Sequence, residues 1–100
     1  MAILAIFYGK GFTKEHYDAL RPLVNWEKDN PDGGIFHAAS FDDNGDIHVA
    51  DVWESAEKMN AFVAERLMPA FQKLNIPQPE VAVYPIHNIT AYSSIDKYKV

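Results

Sequence analysis

Cysteine is absent from the 100-residue chain, and basic residues are few, with nine Lys and Arg against fourteen Asp and Glu. The missing thiols exclude disulfides, thiolate catalysis and thiolate metal sites. The formal net charge of −5, with no cluster of Lys or Arg, disfavours nucleic acid and anionic membranes as partners because both repel an acidic surface. No apolar run approaches the roughly 18 residues that a membrane span requires. We therefore predict a soluble, cytoplasmic protein.

The sequence does have enough apolar surface for one folded core. Hydrophobic residues make up 48% of the chain and charged residues 23%, so disorder is not expected. A chain of this length removes roughly 60–65% of its unfolded surface from water on folding. One domain of modest size is predicted.

Four segments have the composition of β-strands. The first is apolar at every position, which indicates a strand covered on both faces. Asn44-Gly45 lies between the second and third and is typical of a hairpin turn. Pro85, in the fourth, favours an edge position. The predicted strands cover residues 2–8, 35–41, 47–53 and 81–86.

Two segments have the apolar spacing of helices. Thr13 and Ser55 can cap them at their N-termini. We expect Pro22 to end or kink the first helix near Arg21, and Pro69 to bend the second late in its course. The apolar stripe of the first helix comprises Tyr17, Leu20 and Val24.

The resulting order, β-α-β-β-α-β, is the split βαβ pattern of a ferredoxin-like α+β fold. It predicts a four-stranded antiparallel sheet with two helices on one face. Because the first and last strands are apolar on both sides, the second face also needs a cover. A second copy of the chain is the most economical cover, so we predict a homodimer through the sheet face. The domain is expected to span residues 1–90, with a C-terminal tail at 91–100 that contacts the partner subunit.

The chain resembles the dimeric α+β barrel superfamily over about residues 2–90. The resemblance is carried by the order of elements, the apolar first strand, the run Asp51-Val52-Trp53-Glu54-Ser55 and the ending Tyr84-Pro85-Ile86-His87-Asn88. The superfamily includes antibiotic-biosynthesis and quinol monooxygenases, muconolactone isomerases, haem-degrading monooxygenases and ligand-binding regulatory domains. The chain looks closest to small proteins of the antibiotic-biosynthesis monooxygenase type. The resemblance implies the fold and the dimer, and it leaves the activity open.

Two kinds of prosthetic group are disfavoured by the residues present. Haem-degrading members use a histidine near the end of the second helix, whereas no histidine lies between Ala56 and Glu80 here. His48 and Asp51 are three apart in a strand and point to opposite faces, which removes the nearest candidate pair of metal ligands. We predict no cofactor and no metal.

His37 and Asp51 interrupt apolar strands and are the main candidates for chemistry. Either they form a structural or interfacial ion pair, or Asp51 orients His37 as a general base. Their relation depends on the hairpin register. A two-residue turn pairs His37 with Val52 and puts Asp51 on the opposite face, whereas one bulged residue pairs His37 with Trp53 and puts Asp51 on the same face. Both registers stay open.

Four further residues complete the predicted site. The cofactor-independent monooxygenases of the superfamily bind flat phenolic substrates between sheet and helices. By that resemblance Trp53, Tyr84 and Tyr8 are predicted to bind substrate, and Asn88 to donate a hydrogen bond to a carbonyl. The implied function is cofactor-free oxygenation of a small hydrophobic, aromatic or polyketide-like molecule. The alternative is a non-catalytic dimerisation or ligand-sensing module in which the same residues pack an interface.

Overall fold

The structure is a computed structural model that describes residues 1–100, and its elements occur in the predicted order. The strands are β1 (Ile3–Gly9), β2 (Gly34–Phe41), β3 (Ile47–Trp53) and β4 (Glu80–Pro85). The helices are α1 (Lys14–Val24), α2 (Ala56–Phe62) and α3 (Met68–Leu74), with a π-helical segment (Val63–Leu67) joining α2 to α3 and a short 3-10 helix at Ser93–Tyr98. The predicted ferredoxin-like α+β fold is confirmed. No helix is long and apolar enough to cross a membrane.

The sheet is antiparallel, with the strand order β2-β3-β1-β4. β4 is an edge strand, which agrees with the position predicted from Pro85. The helices pack on one face of the sheet and form two buried clusters with it. The larger cluster consists of Phe12, Leu20, Val24, Ile47, Ala70, Phe71 and Ile76. The smaller one consists of Ile3, Ala5, Trp53 and Met59.

α1 begins where the sequence predicts and ends later. The Thr13 hydroxyl accepts a hydrogen bond from the backbone N–H of His16 at 3.2 Å, which caps the helix. Pro22 was expected to end or kink α1 near Arg21; an end there is wrong, since the helix continues to Val24. Pro22 lies in the last turn, and its missing N–H removes one bond of the helical ladder. The helix ends at Asn25, whose left-handed backbone lets its N–H donate to the Arg21 carbonyl.

The second helical region is interrupted one turn before the expected bend. A π-helical segment covers Val63–Leu67, and the Met68 N–H donates to the Val63 carbonyl. Pro69 then lies in the first turn of α3. Backbone nitrogens there have no partner inside the helix, so the missing N–H of proline costs α3 no hydrogen bond. The wider π turn therefore accommodates the proline without a broken hydrogen bond inside α3.

The β2–β3 hairpin has neither of the two registers considered from the sequence. His37 pairs directly with Asp51. The Asp42 N–H donates to the Asp46 carbonyl at 3.0 Å, which leaves a three-residue loop between them. Gly45 closes this loop with a φ of 82°, a conformation typical of three-residue hairpins. The two-residue turn is therefore wrong, and both side chains lie on the helix-covered face.

The other face of the sheet is turned away from the core that α1, α2 and α3 form with the sheet, and we call it the open face. Strand alternation assigns to it every second residue of β1 and the residues paired with them. Its apolar members are Leu4, Ile6, Ala50, Val52, Ala82 and Tyr84. Ile6 is 40% exposed and Tyr84 54% exposed, whereas Val52 is only 7% exposed. Exposed apolar side chains of this kind are what the dimer prediction requires.

Candidate active site

A cavity of about 290 Å³ lies between the sheet and the helices. Residues from both buried clusters line it, among them Phe71 and Trp53. The loop that follows α1 contributes Trp26, Asn30 and Pro31 to its wall. Thirteen of the nineteen lining residues are hydrophobic, so the cavity suits a ligand with a large apolar surface. Its volume is near the lower end of the roughly 300–1,000 Å³ range of small-molecule sites.

His37 and Asp51 form a hydrogen-bonded pair in the wall of this cavity. They face each other across β2 and β3, and His37 Nδ1 lies 2.7 Å from Asp51 Oδ1. The Asp51 side chain is only 12% exposed, whereas the His37 side chain is 34% exposed. The second carboxylate oxygen of Asp51 accepts a bond from Trp53 Nε1 at 3.2 Å. A carboxylate withdrawn from water in this way needs such donors, and it receives two.

Tyr17 extends the pair from the helical side. Its hydroxyl lies 2.8 Å from His37 Nε2, and the two rings are nearly parallel, at 12°. Burial raises the pKa of Tyr17 to about 12, so its hydroxyl keeps its proton at neutral pH. We refer to Trp53, Asp51, His37 and Tyr17 as the hydrogen-bond chain. It runs from a buried indole, through a carboxylate and an imidazole, to a phenol in the cavity wall.

The local sequence explains how the residues of the hydrogen-bond chain are positioned. The Thr13 cap sets the start of α1, and Tyr17 follows one turn later on the face that meets the sheet. Trp26, just beyond α1, packs edge-on against His37 with ring centroids 5.6 Å apart. A bulge at Ile35 breaks the β2–β3 register, so that Gly34 rather than Ile35 pairs with Trp53. The imidazole is thus held between aromatic rings on a rigid sheet.

The cavity contains no Lys or Arg to balance the charge of Asp51. The nearby Arg21 is bound to Glu27, with contacts of 2.6 and 3.1 Å. An anionic ligand would therefore meet a buried carboxylate without a fixed positive charge. The arrangement favours a neutral ligand.

Three residues predicted for the site do not reach the cavity. Tyr8 and Tyr84 alternate with the residues that face the helices, so they lie on the open face. The Tyr8 hydroxyl donates to Asp46 at 3.3 Å, and its ring packs against His48. Asn88 follows β4 and is exposed. Strand alternation separates Tyr8 and Tyr84 from His37, and Asn88 lies beyond the end of β4, so the structure does not bring these three residues to the cavity.

Two aromatic cavity residues, Tyr17 and Trp26, are not among the predicted site residues. The sequence places Tyr17 only in the apolar stripe of α1. The signal for Tyr17 is its hydroxyl, which needs a polar partner in a stripe whose other members, Leu20 and Val24, are hydrocarbon. The sequence could not identify that partner, because it lies on β2.

A second His–Asp pair lies outside the cavity. His48 Nε2 is 2.7 Å from Asp42 Oδ2, at the end of the open face, and both side chains are substantially exposed. The hydrogen bonds from His48 and from the hairpin backbone lower the pKa of Asp42. No group of three or more His, Asp and Glu side chains converges anywhere in the structure. The pair of His48 and Asp42 is therefore a natural control for the pair of His37 and Asp51 in the cavity wall.

The strand order and the helical cover match those of several solved structures, among them proteins described as antibiotic biosynthesis monooxygenases. This likeness confirms the predicted ferredoxin-like α+β fold. No protein-family model and no curated protein matches the chain in sequence.

Three solved structures illustrate the likeness. A conserved protein from Methanosarcina mazei is 13% identical, with a TM-score of 0.65 over 85% of this chain and 92% of that one. A candidate antibiotic biosynthesis monooxygenase from Chloroflexus aurantiacus is 15% identical, with a TM-score of 0.65 over 91% and 98%. SnoaB, a cofactor-independent oxygenase from Streptomyces nogalater, is 9% identical, with a TM-score of 0.63 over 88% and 94%. At these identities the likeness establishes the fold and not the activity.

Proposed function

We propose that the protein binds a small, neutral, flat aromatic or polyketide-like molecule in the cavity and oxygenates it without metal, flavin or haem. The observation that carries the proposal is the hydrogen-bonded pair of His37 and Asp51 in an otherwise apolar pocket. Asp51 is buried in this pair, and withdrawing its carboxylate from water has a cost that a simple hydrophobic core would avoid. The cofactor-independent oxygenase SnoaB shares this fold, which supports the same reaction class.

The walls of the cavity account for the proposed ligand. Trp26, Trp53 and Phe62 supply aromatic surfaces against which a flat ring system can stack. Asn30 adds one polar group at the loop side of the cavity. Because Asp51 is the only carboxylate in the wall and no Lys or Arg accompanies it, we expect phenols and ketones to bind in preference to carboxylic acids.

His37 is the proposed base. It takes up a proton from an activated CH₂ group of the substrate, and Asp51 holds the imidazole in place and stabilises the imidazolium. The resulting carbanion combines with O₂ to form a C–O bond, and the peroxide oxygen takes back a proton as the hydroperoxide. Loss of water then leaves a carbonyl. One CH₂ and one O₂ thus become one C=O and one H₂O, with no external reductant.

The direct test is oxygen uptake by the purified protein with quinols and related hydroxylated polycyclic ketones. Replacing His37 by Ala should lower the rate by about 10²-fold or more, because general base catalysis contributes factors of that size. Replacing His48 by Ala removes the imidazole of the exposed pair and should leave the rate unchanged. Equal rates in the wild type and His37→Ala would remove His37 as the base. Ligand binding without oxygen uptake would favour the ligand-sensing alternative.

We also propose that two copies pair through the open face. Support comes from the exposed apolar side chains there and from the tail at 91–100, whose Tyr92 and Tyr98 are 72% and 75% exposed. In a dimer the tail would pack on the partner. Sedimentation at micromolar concentration should give a dimer, and Ala50→Glu, which places a charge in the middle of the open face, should give a monomer. A wild-type monomer under these conditions would contradict the pairing.

A further inference from the structure

We infer that Tyr17, rather than His37, is the residue that meets the substrate, and that its hydroxyl carries the substrate proton to His37. The inference rests on the proposed function and deepens it, since it identifies a catalytic residue that the predicted site did not contain. It follows from the direction of each bond in the hydrogen-bond chain.

The direction is determined at the carboxylate end. Ionised Asp51 can only accept hydrogen bonds, and the indole N–H of Trp53 can only donate. His37 must therefore carry its proton on Nδ1, which faces Asp51 Oδ1 at 2.7 Å. In the neutral imidazole this leaves Nε2 with a lone pair and no proton. The same lone pair is the basic site of His37.

That basic site is already occupied. The Tyr17 hydroxyl lies 2.8 Å from Nε2, and it must donate because Nε2 can only accept. Tyr17 remains protonated in this position, because burial raises its pKa to about 12. A substrate proton can thus reach Nε2 only by way of the Tyr17 oxygen, which still has lone pairs available to a ligand in the cavity.

The proposed step moves two protons together. The substrate O–H or C–H proton passes to the Tyr17 oxygen while the Tyr17 proton passes to His37 Nε2. The products are the substrate anion, a neutral Tyr17 and an imidazolium paired with Asp51, so charge and atoms balance. A free tyrosinate is avoided, which matters in a cavity whose lining contains no Lys or Arg to stabilise it.

The inference can be tested by binding, without turnover. The probes are naphthol and its methyl ether, which share a flat ring system and differ in the hydroxyl proton. We expect the wild type to bind naphthol at least about fivefold more tightly than the ether, since one hydrogen bond contributes about 1 kcal/mol. Tyr17→Phe keeps the aromatic ring and should abolish this preference. Tyr8→Phe removes a hydroxyl on the open face and should preserve it.

Titration calorimetry distinguishes the outcomes. No preference for naphthol in the wild type, or an undiminished preference in Tyr17→Phe, would overturn the inference. A preference lost in His37→Ala but retained in Tyr17→Phe would show direct contact with the imidazole and would also overturn it. Failure of the proposed function is a separate result, seen as an absence of oxygen uptake by the wild type. Where uptake occurs, Tyr17→Phe should lower it by about 10²-fold.

Discussion

Replacing Asp51 by Asn should reverse the tautomer of His37. The amide has one acceptor oxygen and one NH₂ group, whereas the carboxylate offers two acceptors. Trp53 Nε1, 3.2 Å away, can only donate, so the amide oxygen must face it. The NH₂ group then faces His37 Nδ1, which has to give up its proton to Nε2. The basic lone pair ends up directed at residue 51 and away from Tyr17.

The size of the effect follows from the two contacts that Asp51 makes. Both are charge-assisted in the wild type, at 2.7 Å to His37 and 3.2 Å to Trp53, and both become neutral in the variant. We expect the free energy of unfolding to fall by about 1–3 kcal/mol, because the bonds are weakened rather than removed. The rate of oxygen uptake should fall by about 10²-fold or more, because the base is no longer accessible.

Nitrogen NMR of the imidazole is the assay for this variant. Coupling patterns of the two ring nitrogens report which of them carries the proton. In the wild type we expect a protonated Nδ1 in His37, and in Asp51→Asn a protonated Nε2. Asp42→Asn alters the exposed pair with His48, which has the same 2.7 Å distance, and should leave the His37 signals in place. A proton that stays on Nδ1 in Asp51→Asn would refute the reasoning.

Three further predictions concern the surroundings of the site. Burial raises the pKa of Tyr17 from 10.0 to about 12, so its stabilising contribution is complete below pH 10 and is lost as the pH rises through 12. The difference in unfolding free energy between the wild type and Tyr17→Phe should therefore shrink by about 1–2 kcal/mol across that range, after allowance for solvent screening; a constant difference in urea titrations would contradict this. Gly33→Ala should lower thermal stability by about 1–2 kcal/mol or more, because φ is 84° and the new Cβ would lie 2.5 Å from Lys58 Cδ. Gly45→Ala, with a φ of 82° and open space, should cost less, and equal losses would rule out the steric argument. Arg66 Nη2 donates to two backbone carbonyls at 2.9 Å, one of them in the loop after α1. Arg66→Met should therefore speed amide exchange in that loop about tenfold or more while the sheet stays protected. Unchanged exchange in the loop would show that this contact does not hold it.

The fold could be predicted because its signals are local. Alternation and helical spacing give each element its type, and the third strand, 47–53, was predicted with its observed bounds. The continuation of α1 through Pro22 could not be predicted, because a proline beyond the first turn removes a backbone hydrogen bond and usually ends or kinks the helix. The π segment before Pro69 has no simple sequence signal.

The site was predicted only in part, because the pairing of His37 with Asp51 depends on the register of the β2–β3 hairpin. His37 and Asp51 stand out as polar residues in apolar strands, but their direct pairing depends on a loop closed by Asp42 and Gly45. That loop geometry was not among the registers weighed. Tyr17 comes from another element, and only tertiary packing brings its hydroxyl to the imidazole.

The central claim is that the cavity on the helix-covered face, and not the open face, is where a ligand binds. The most direct measurement is an NMR titration with a quinol under anaerobic conditions, following indole, imidazole and tyrosine-ring signals. The account predicts that the signals of Trp26, Trp53 and His37 shift together while those of His48 stay fixed. Shifts confined to His48 and the ring of Tyr84, with both indoles unmoved, would contradict it.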